Sequence, residues 1–237
     1  MKKLDICGTV VVLFTLVWQV SADLLIAWDS GVGTNYSYTA SGVAGNLYTG
    51  STVGSKTDGN SMDETYGSVY SGAATNLNWT VAVGTNTVDV NNKLGIRMVN
   101  NTGSTVVLDS LHFDAGRTWA GGPQTLTVVY GYGSLTGVDS GAEIDVVTGL
   151  PQLLGAGNPG AISSGYQDID ILLTGLADYT LAPGEEATFQ IYASNATGTA
   201  YTYIDNIAIS GTVVPEPATL GMLGLGGLLA VILRRIG

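Results

Sequence analysis

The chain of 237 residues has one cysteine, Cys7, and one histidine, His112. A single cysteine excludes an intrachain disulfide, so any exported form is held by its apolar core, by bound ions, or by both. One histidine and one cysteine are too few for a zinc site built on His and Cys. Basic residues are also scarce, 8 Lys and Arg against 19 Asp and Glu. Four of the basic residues, Lys2, Lys3, Arg234 and Arg235, sit in the two termini, as do two of the acids, Asp5 and Glu216. Residues 23–213 are therefore left with four basic and 17 acidic side chains, a net charge of −13. Binding phosphates needs a basic surface, so this balance argues against nucleic acid or anionic lipid as partners.

Both termini read as targeting segments. Lys2 and Lys3 precede the apolar run Val10–Val17 and the small-residue site Val20-Ser21-Ala22. That order is a secretory signal peptide spanning residues 1–22, and it would remove Cys7. At the other end, Pro215-Glu216-Pro217 is followed by the uncharged stretch 218–233 and then Arg234-Arg235. As a helix the stretch would run about 24 Å, short for a bilayer core of about 30 Å. Arg234 and Arg235 can extend its reach by snorkelling, act as a membrane stop, and favour a cytoplasmic C-terminus. The two prolines keep the chain extended ahead of the helix.

The Pro-Glu-Pro, apolar span and arginine order resembles the PEP-CTERM sorting signal, also catalogued as an ice-binding-protein C-terminal motif. The resemblance covers residues 214–237. It implies an exosortase as processing partner, transient membrane anchoring through residues 218–233, cleavage near Pro215-Glu216-Pro217, and delivery to the cell surface or exopolysaccharide matrix. Such chains share the tail and little else, so it implies nothing about the body. Ice binding would want a regular threonine array. Thr85-Asn86-Thr87 and Thr125-Leu126-Thr127 are isolated pairs.

The body, residues 23–213, is long enough for one domain with a real core. Short alternating runs separated by Gly, Asn and Pro clusters predict an all-β domain. The runs are 24–28, 79–83, 94–99, 105–113, 126–130, 169–173, 188–191 and 201–209. Strict alternation puts Val107, Leu111 and Phe113 on one face together with Asp109. It likewise groups Tyr201, Tyr203, Ile207 and Ile209 with Asp205. Ala120-Gly121-Gly122-Pro123 and Ala182-Pro183-Gly184-Glu185 read as turns. The absence of a fixed-period repeat disfavours a solenoid. These features predict a single β-sandwich, jelly-roll-like. The stretches LHFDAGR (111–117) and YIDNIAISG (203–211) resemble strands of exported jelly-roll proteins with the same tail. The second also resembles the closing strand of carbohydrate-binding sandwiches.

Catalytic signals are thin. No Gly-x-Ser-x-Gly elbow accompanies His112, which reads as a strand histidine facing solvent or a loop. Two carboxylate pairs at i, i+2, Asp168 with Asp170 and Glu143 with Asp145, have the residue types that glycoside hydrolysis uses. They are equally the charges that guard strand edges. Asp58, Asn60, Asp63 and Glu64 offer oxygen ligands for calcium, although Met62 breaks the EF-hand spacing and a solvated acidic loop explains them as well. Trp28, Trp79 and Trp119, with Tyr36, Tyr38, Tyr66 and Tyr70, are candidate sugar-stacking faces, unless the tryptophans are core. The resulting expectation is an exported, non-catalytic surface protein, structural, adhesive or carbohydrate-binding. A carbohydrate-active enzyme working through a carboxylate pair is the alternative.

Overall fold

The computed structural model describes residues 22–28, 38–49, 53–56, 78–83, 93–117, 119–153, 166–198 and 200–214. Every regular element among them is a strand: β1 Asp23–Trp28, β2 Tyr38–Thr39, β3 Val43–Thr49, β4 Val53–Lys56, β5 Asn78–Val83, β6 Lys93–Asn100, β7 Thr105–Arg117, β8 Thr125–Gly133, β9 Glu143–Thr148, β10 Gln167–Leu172, β11 Thr180–Leu181, β12 Glu186–Ser194 and β13 Ala200–Val214. No described helix is long and apolar enough to cross a membrane. The expected signal peptide, the Pro-Glu-Pro motif and the apolar span 218–233 lie outside the described residues.

The strands form two antiparallel sheets. The larger has eight strands, with β10-β7-β13-β1-β2 as its spine and β11, β4 and β5 attached to it; the smaller runs β3-β6-β12-β8-β9. Their inner faces share one apolar cluster. Leu25, Ile26, Trp28, Leu111, Phe113, Ile171 and Ile209 come from the first sheet, and Leu47, Ile96, Met98, Tyr130, Phe189 and Ile191 from the second. This is the β-sandwich expected from alternating half-buried strands. The Tyr130 and Phe189 rings meet edge to face at 6.3 Å, an arrangement aromatic quadrupoles favour.

The long strands β7 and β13 organise the larger sheet. They pair with each other over most of their length. On its other edge β13 takes β5 along 200–204 and then β1 along 207–211. The change of partner coincides with a bulge between Asp205 and Ala208, where Asn206 adopts φ 49°. A second irregularity lies between Ser210 and Gly211, opposite Ser110 and Leu108.

These bulges correct the strict alternation expected of both strands. On β7 the core takes Val106 and Leu108, then Leu111, Phe113 and Ala115, so Val107 is not on the Leu111 face. On β13 the core takes Ile204, then Ile207 and Ile209, while Tyr203 belongs to a separate cluster with Leu153. One extra residue in a strand moves every later side chain to the other face. The bulges thus turn Asp205, Asp114 and His112 away from the apolar interior.

Both expected turns are present. The Glu185 amide donates to the Ala182 carbonyl, and Gly184 supplies the positive φ of 84° that a Pro-Gly turn requires. The Gly122 amide likewise donates to the Trp119 carbonyl.

Candidate functional site

The outer face of the larger sheet carries a buried polar network. His112 on β7 lies between its two neighbouring strands, opposite Asp170 on β10 and Ala208 on β13. Its Nδ1 meets Asp170 Oδ1, and its Nε2 lies 2.8 Å from Ser210 Oγ. His112 is 5% exposed and Ser210 is 4% exposed, whereas the Asp170 side chain is 59% exposed. The expectation of a histidine turned to solvent is corrected: the strand pairing and the β13 bulge seat it in a hydrogen-bonded row.

The atom order Asp-His-Ser matches a nucleophilic triad. The exposure runs the wrong way, however, with the carboxylate open and the hydroxyl covered. The row ties β10 to β13 across β7. Next along this face, Asn206 Nδ2 donates to Asp114 Oδ2 at 3.0 Å, and its amide donates to Asp205 Oδ1 at 3.0 Å. Asp114 and Asp205 are both nearly fully buried. A carboxylate buried this way is stable only when its oxygens accept hydrogen bonds. Among the described residues no group of three or more His, Cys, Asp and Glu is arranged to hold a metal.

The outer face of the smaller sheet has a different chemistry. Tyr48 (β3), Gly95 (β6) and Gln190 (β12) are register partners in adjacent strands. A Cβ at position 95 would overlap the Tyr48 ring, so the ring lies across the strand where glycine leaves room. Gln190 then fixes it. The Gln190 Nε2 donates to the Tyr48 hydroxyl at 3.1 Å, and the Tyr192 hydroxyl donates to Gln190 Oε1 at 2.7 Å. Gln190 itself lies over Gly131, where a Cβ would come within 2.8 Å of its side chain. Burial pushes the Tyr48 hydroxyl up to about 12, with Tyr132 and Tyr192 nearby reinforcing the shift against the Gln190 hydrogen bond. Burial also raises Tyr192.

One row along, Asn46, Arg97, Thr188 and Tyr132 are successive partners across β3, β6, β12 and β8. Arg97 donates from Nε to Glu186 Oε2 at 3.0 Å and also from Nη2, and this pairing raises the guanidinium pKa. Tyr132 is 45% exposed. Asn46 Oδ1 and Thr188 Oγ1 are buried without a hydrogen-bond partner. Lys93 on β6 completes the face, opposite Tyr192.

The expected tryptophan platform is redistributed. Trp28 is 1% exposed and sits in the core, so it cannot stack on a ligand. Trp119 is 57% exposed on the β7–β8 connection. Trp79 lies on β5, and its side chain is outside the described part. Tyr38 is exposed on β2, while Tyr36, Tyr66 and Tyr70 lie outside the described residues. So do the calcium candidates Asp58, Asn60, Asp63 and Glu64. Asp168 and Asp170 both point outward on β10, with Asp170 engaged by His112. Glu143 and Asp145 are exposed on the edge strand β9, and Asp145 caps its neighbour Val146. The Tyr48–Gln190–Tyr192 cluster is not legible in the sequence because β3, which carries Tyr48, is not among the expected runs and β12 lies far along the chain. The alternation of Gln190 and Tyr192 opposite Phe189 and Ile191 was the available signal.

The PEP-CTERM protein-sorting motif model matches residues 213–236. The chain thus carries the signal of an exported, exosortase-processed surface protein, and β13 runs directly into it through Val213 and Val214. No curated protein matches the chain. Among solved structures, a family 27 carbohydrate-binding module of Caldicellulosiruptor saccharolyticus in complex with mannohexaose is similar at 12% identity and TM-score 0.39, covering 80% of this chain and 96% of that one. A family 11 module of Clostridium thermocellum cellulase Lic26A-Cel5E gives 15% and 0.35, covering 83% and 98%. The K3 adhesin domain of Lys-gingipain from Porphyromonas gingivalis gives 16% and 0.30, covering 71% and 99%. At these TM-scores the likenesses decide nothing about ligand or mechanism.

Proposed function

We propose that this exosortase-sorted protein is a non-catalytic polysaccharide-binding module, and that its ligand lies across the outer face of the five-stranded sheet. The observation that carries this reading is the Tyr48 ring laid over Gly95 and held by the Gln190–Tyr192 pair. A sugar ring has an apolar face and a rim of hydroxyls. A flat aromatic held in advance loses little rotamer entropy on binding, and the partly exposed polar groups of the next row can pair with the hydroxyls. Tyr132 and Arg97, both partly exposed, extend the face along the next row. Delivery to a cell surface or matrix would bring such a face to polysaccharide. The enzyme alternative draws less support, since Asp170 is committed to His112 and the Glu143–Asp145 pair stands on an open edge.

Affinity electrophoresis of the detergent-solubilised full chain through gels containing different polysaccharides tests the reading. Retardation by at least one polymer, lost in Tyr48→Ala while the variant keeps a cooperative melting transition, is expected. Retardation that persists in Tyr48→Ala, or no retardation by any polymer, would assign the body a structural or adhesive role instead.

A further inference from the structure

Resting on that reading, we infer that the face takes a neutral, hydroxyl-bearing glycan and discriminates against uronates, through a subsite formed by Asn46, Arg97 and Thr188. Three observations converge on it. First, the face offers little free positive charge for a carboxylate. Of the two cations on β6, Arg97 already donates through Nε and Nη2 to Glu186, which leaves Lys93 alone. Second, Asn46 Oδ1 is a buried acceptor without a donor. A carboxylate brings no proton and would set like partial charges together, whereas a hydroxyl supplies the missing donor. Third, Thr188 is fully buried and its Oγ1 has no partner. A threonine there, where valine would fill the same space, leaves a polar atom unsatisfied at a real cost.

The two orphaned atoms lie on strands flanking Arg97 and are closed to solvent, so a ligand hydroxyl reaches them only when a covering side chain moves; the Arg97 side chain between them is 40% exposed. Arg97 keeps Nη1 beyond its bonds to Glu186. A sugar hydroxyl could therefore accept from Arg97 while donating to Asn46, which is the pairing a hydroxyl can make and a carboxylate cannot. With a sugar ring on Tyr48, the subsite is one residue row away along the sheet, at strand spacing of roughly 7 Å for two residues. That distance reaches the next sugar of an extended chain. The charge of the body, four basic against 17 acidic residues, acts in the same direction by repelling polyanions.

The experiment compares polygalacturonate with its carboxyl-reduced counterpart, a neutral polymer of the same linkage, and adds hydroxyethyl cellulose as an unrelated neutral glycan. The full chain and its Thr188→Val variant are titrated with each. At least one neutral polymer should bind about tenfold or more tighter than polygalacturonate. Thr188→Val should weaken that binding severalfold while leaving the melting temperature unchanged or raised, which loss through misfolding would not do. Equal or tighter binding of polygalacturonate, with Tyr48 dependence intact, would overturn the neutral-glycan inference and leave the platform standing. Undiminished binding by Thr188→Val would overturn the subsite. Absence of binding to all polymers, extended to the gel survey above, would bring down the platform reading itself.

Discussion

The two outer faces of the sandwich are built from similar polar residues and use them in opposite ways. On the eight-stranded sheet, His112, Asp114, Asp205, Asn206 and Ser210 are buried, His112 bonded to Ser210 and Asn206 to both Asp114 and Asp205. On the five-stranded sheet, Tyr48, Gln190 and Tyr192 form a short chain that ends at a partly open ring, and Asn46 and Thr188 keep polar atoms unpaired beside it. A network that satisfies itself stabilises and fixes a fold, whereas one left incomplete has capacity for a ligand. The first face therefore reads as architecture and the second as recognition.

The comparison can be broken most forcefully from inside. Trp28→Ala removes a core side chain that is 1% exposed and should cost about 3–5 kcal/mol. Chemical denaturation should show the loss directly. If Trp28→Ala instead keeps full stability and loses only ligand, Trp28 belongs to a binding face and the core assignment is wrong.

The faces themselves come next. Tyr48→Ala should weaken polysaccharide binding by about 2 kcal/mol, the scale of an aromatic anchor, while the protein still unfolds cooperatively. Gly95→Ala should reproduce the binding defect without touching a polar group, because its Cβ would evict the Tyr48 ring. His112→Ala should do the reverse. It strips partners from Ser210 and Asp170 and should lower stability by about 1–2 kcal/mol while affinity stays at the wild-type level. A His112→Ala protein of native stability that fails to bind would invert the assignment of the two faces.

Much of this division was legible in the sequence, and the rest was hidden for physical reasons. Periodicity and turn chemistry located strands at 94–99 and 126–130, which the structure extends to Lys93–Asn100 and Thr125–Gly133, and the turn at Pro183-Gly184, whereas β3 and β9 are not among the expected runs. Residues 105–113 and 201–209 are strands as the alternation predicts, but half of each faces the other way. Alternation cannot announce a bulge, and Asn206 carries the positive φ without being glycine. The motif Tyr203-Ile204-Asp205-Asn206 therefore looked like a uniform strand when it contains the point where side chains change face. Asn100 precedes Asn101-Thr102 in a glycosylation-type triplet, yet it is fully buried and donates to the Ser104 and Leu181 carbonyls. The flat faces of the tryptophans make them candidate sugar platforms in the sequence, and the size of the same ring commits Trp28 to the core. The platform that the structure presents depends on Gly95 and Gln190 lying beside Tyr48, a juxtaposition fixed by strand register between residues, Tyr48 and Gln190, that are 142 positions apart.

The smallest expected effect isolates the Tyr48 hydroxyl. Its pKa is raised from 10.0 to about 12 in the folded protein, first by burial. Between pH 10 and 12 the unfolded chain releases this proton while the folded protein holds it. The unfolded state then binds fewer protons, so stability falls as pH rises through that window and is unaffected by this group below it. Tyr48→Phe removes the titration and keeps the ring. The stability difference between Tyr48→Phe and wild type, followed by urea denaturation at pH 9, 10 and 11, should move in favour of the variant from pH 10 upward. Comparison at equal pH sets aside the titration of Tyr130 and Tyr192, which burial also raises. A difference that stays flat would mean that the hydroxyl is solvated. The ring would then not be held down over Gly95, and the recognition face would lose the fixed aromatic that distinguishes it from the architectural one.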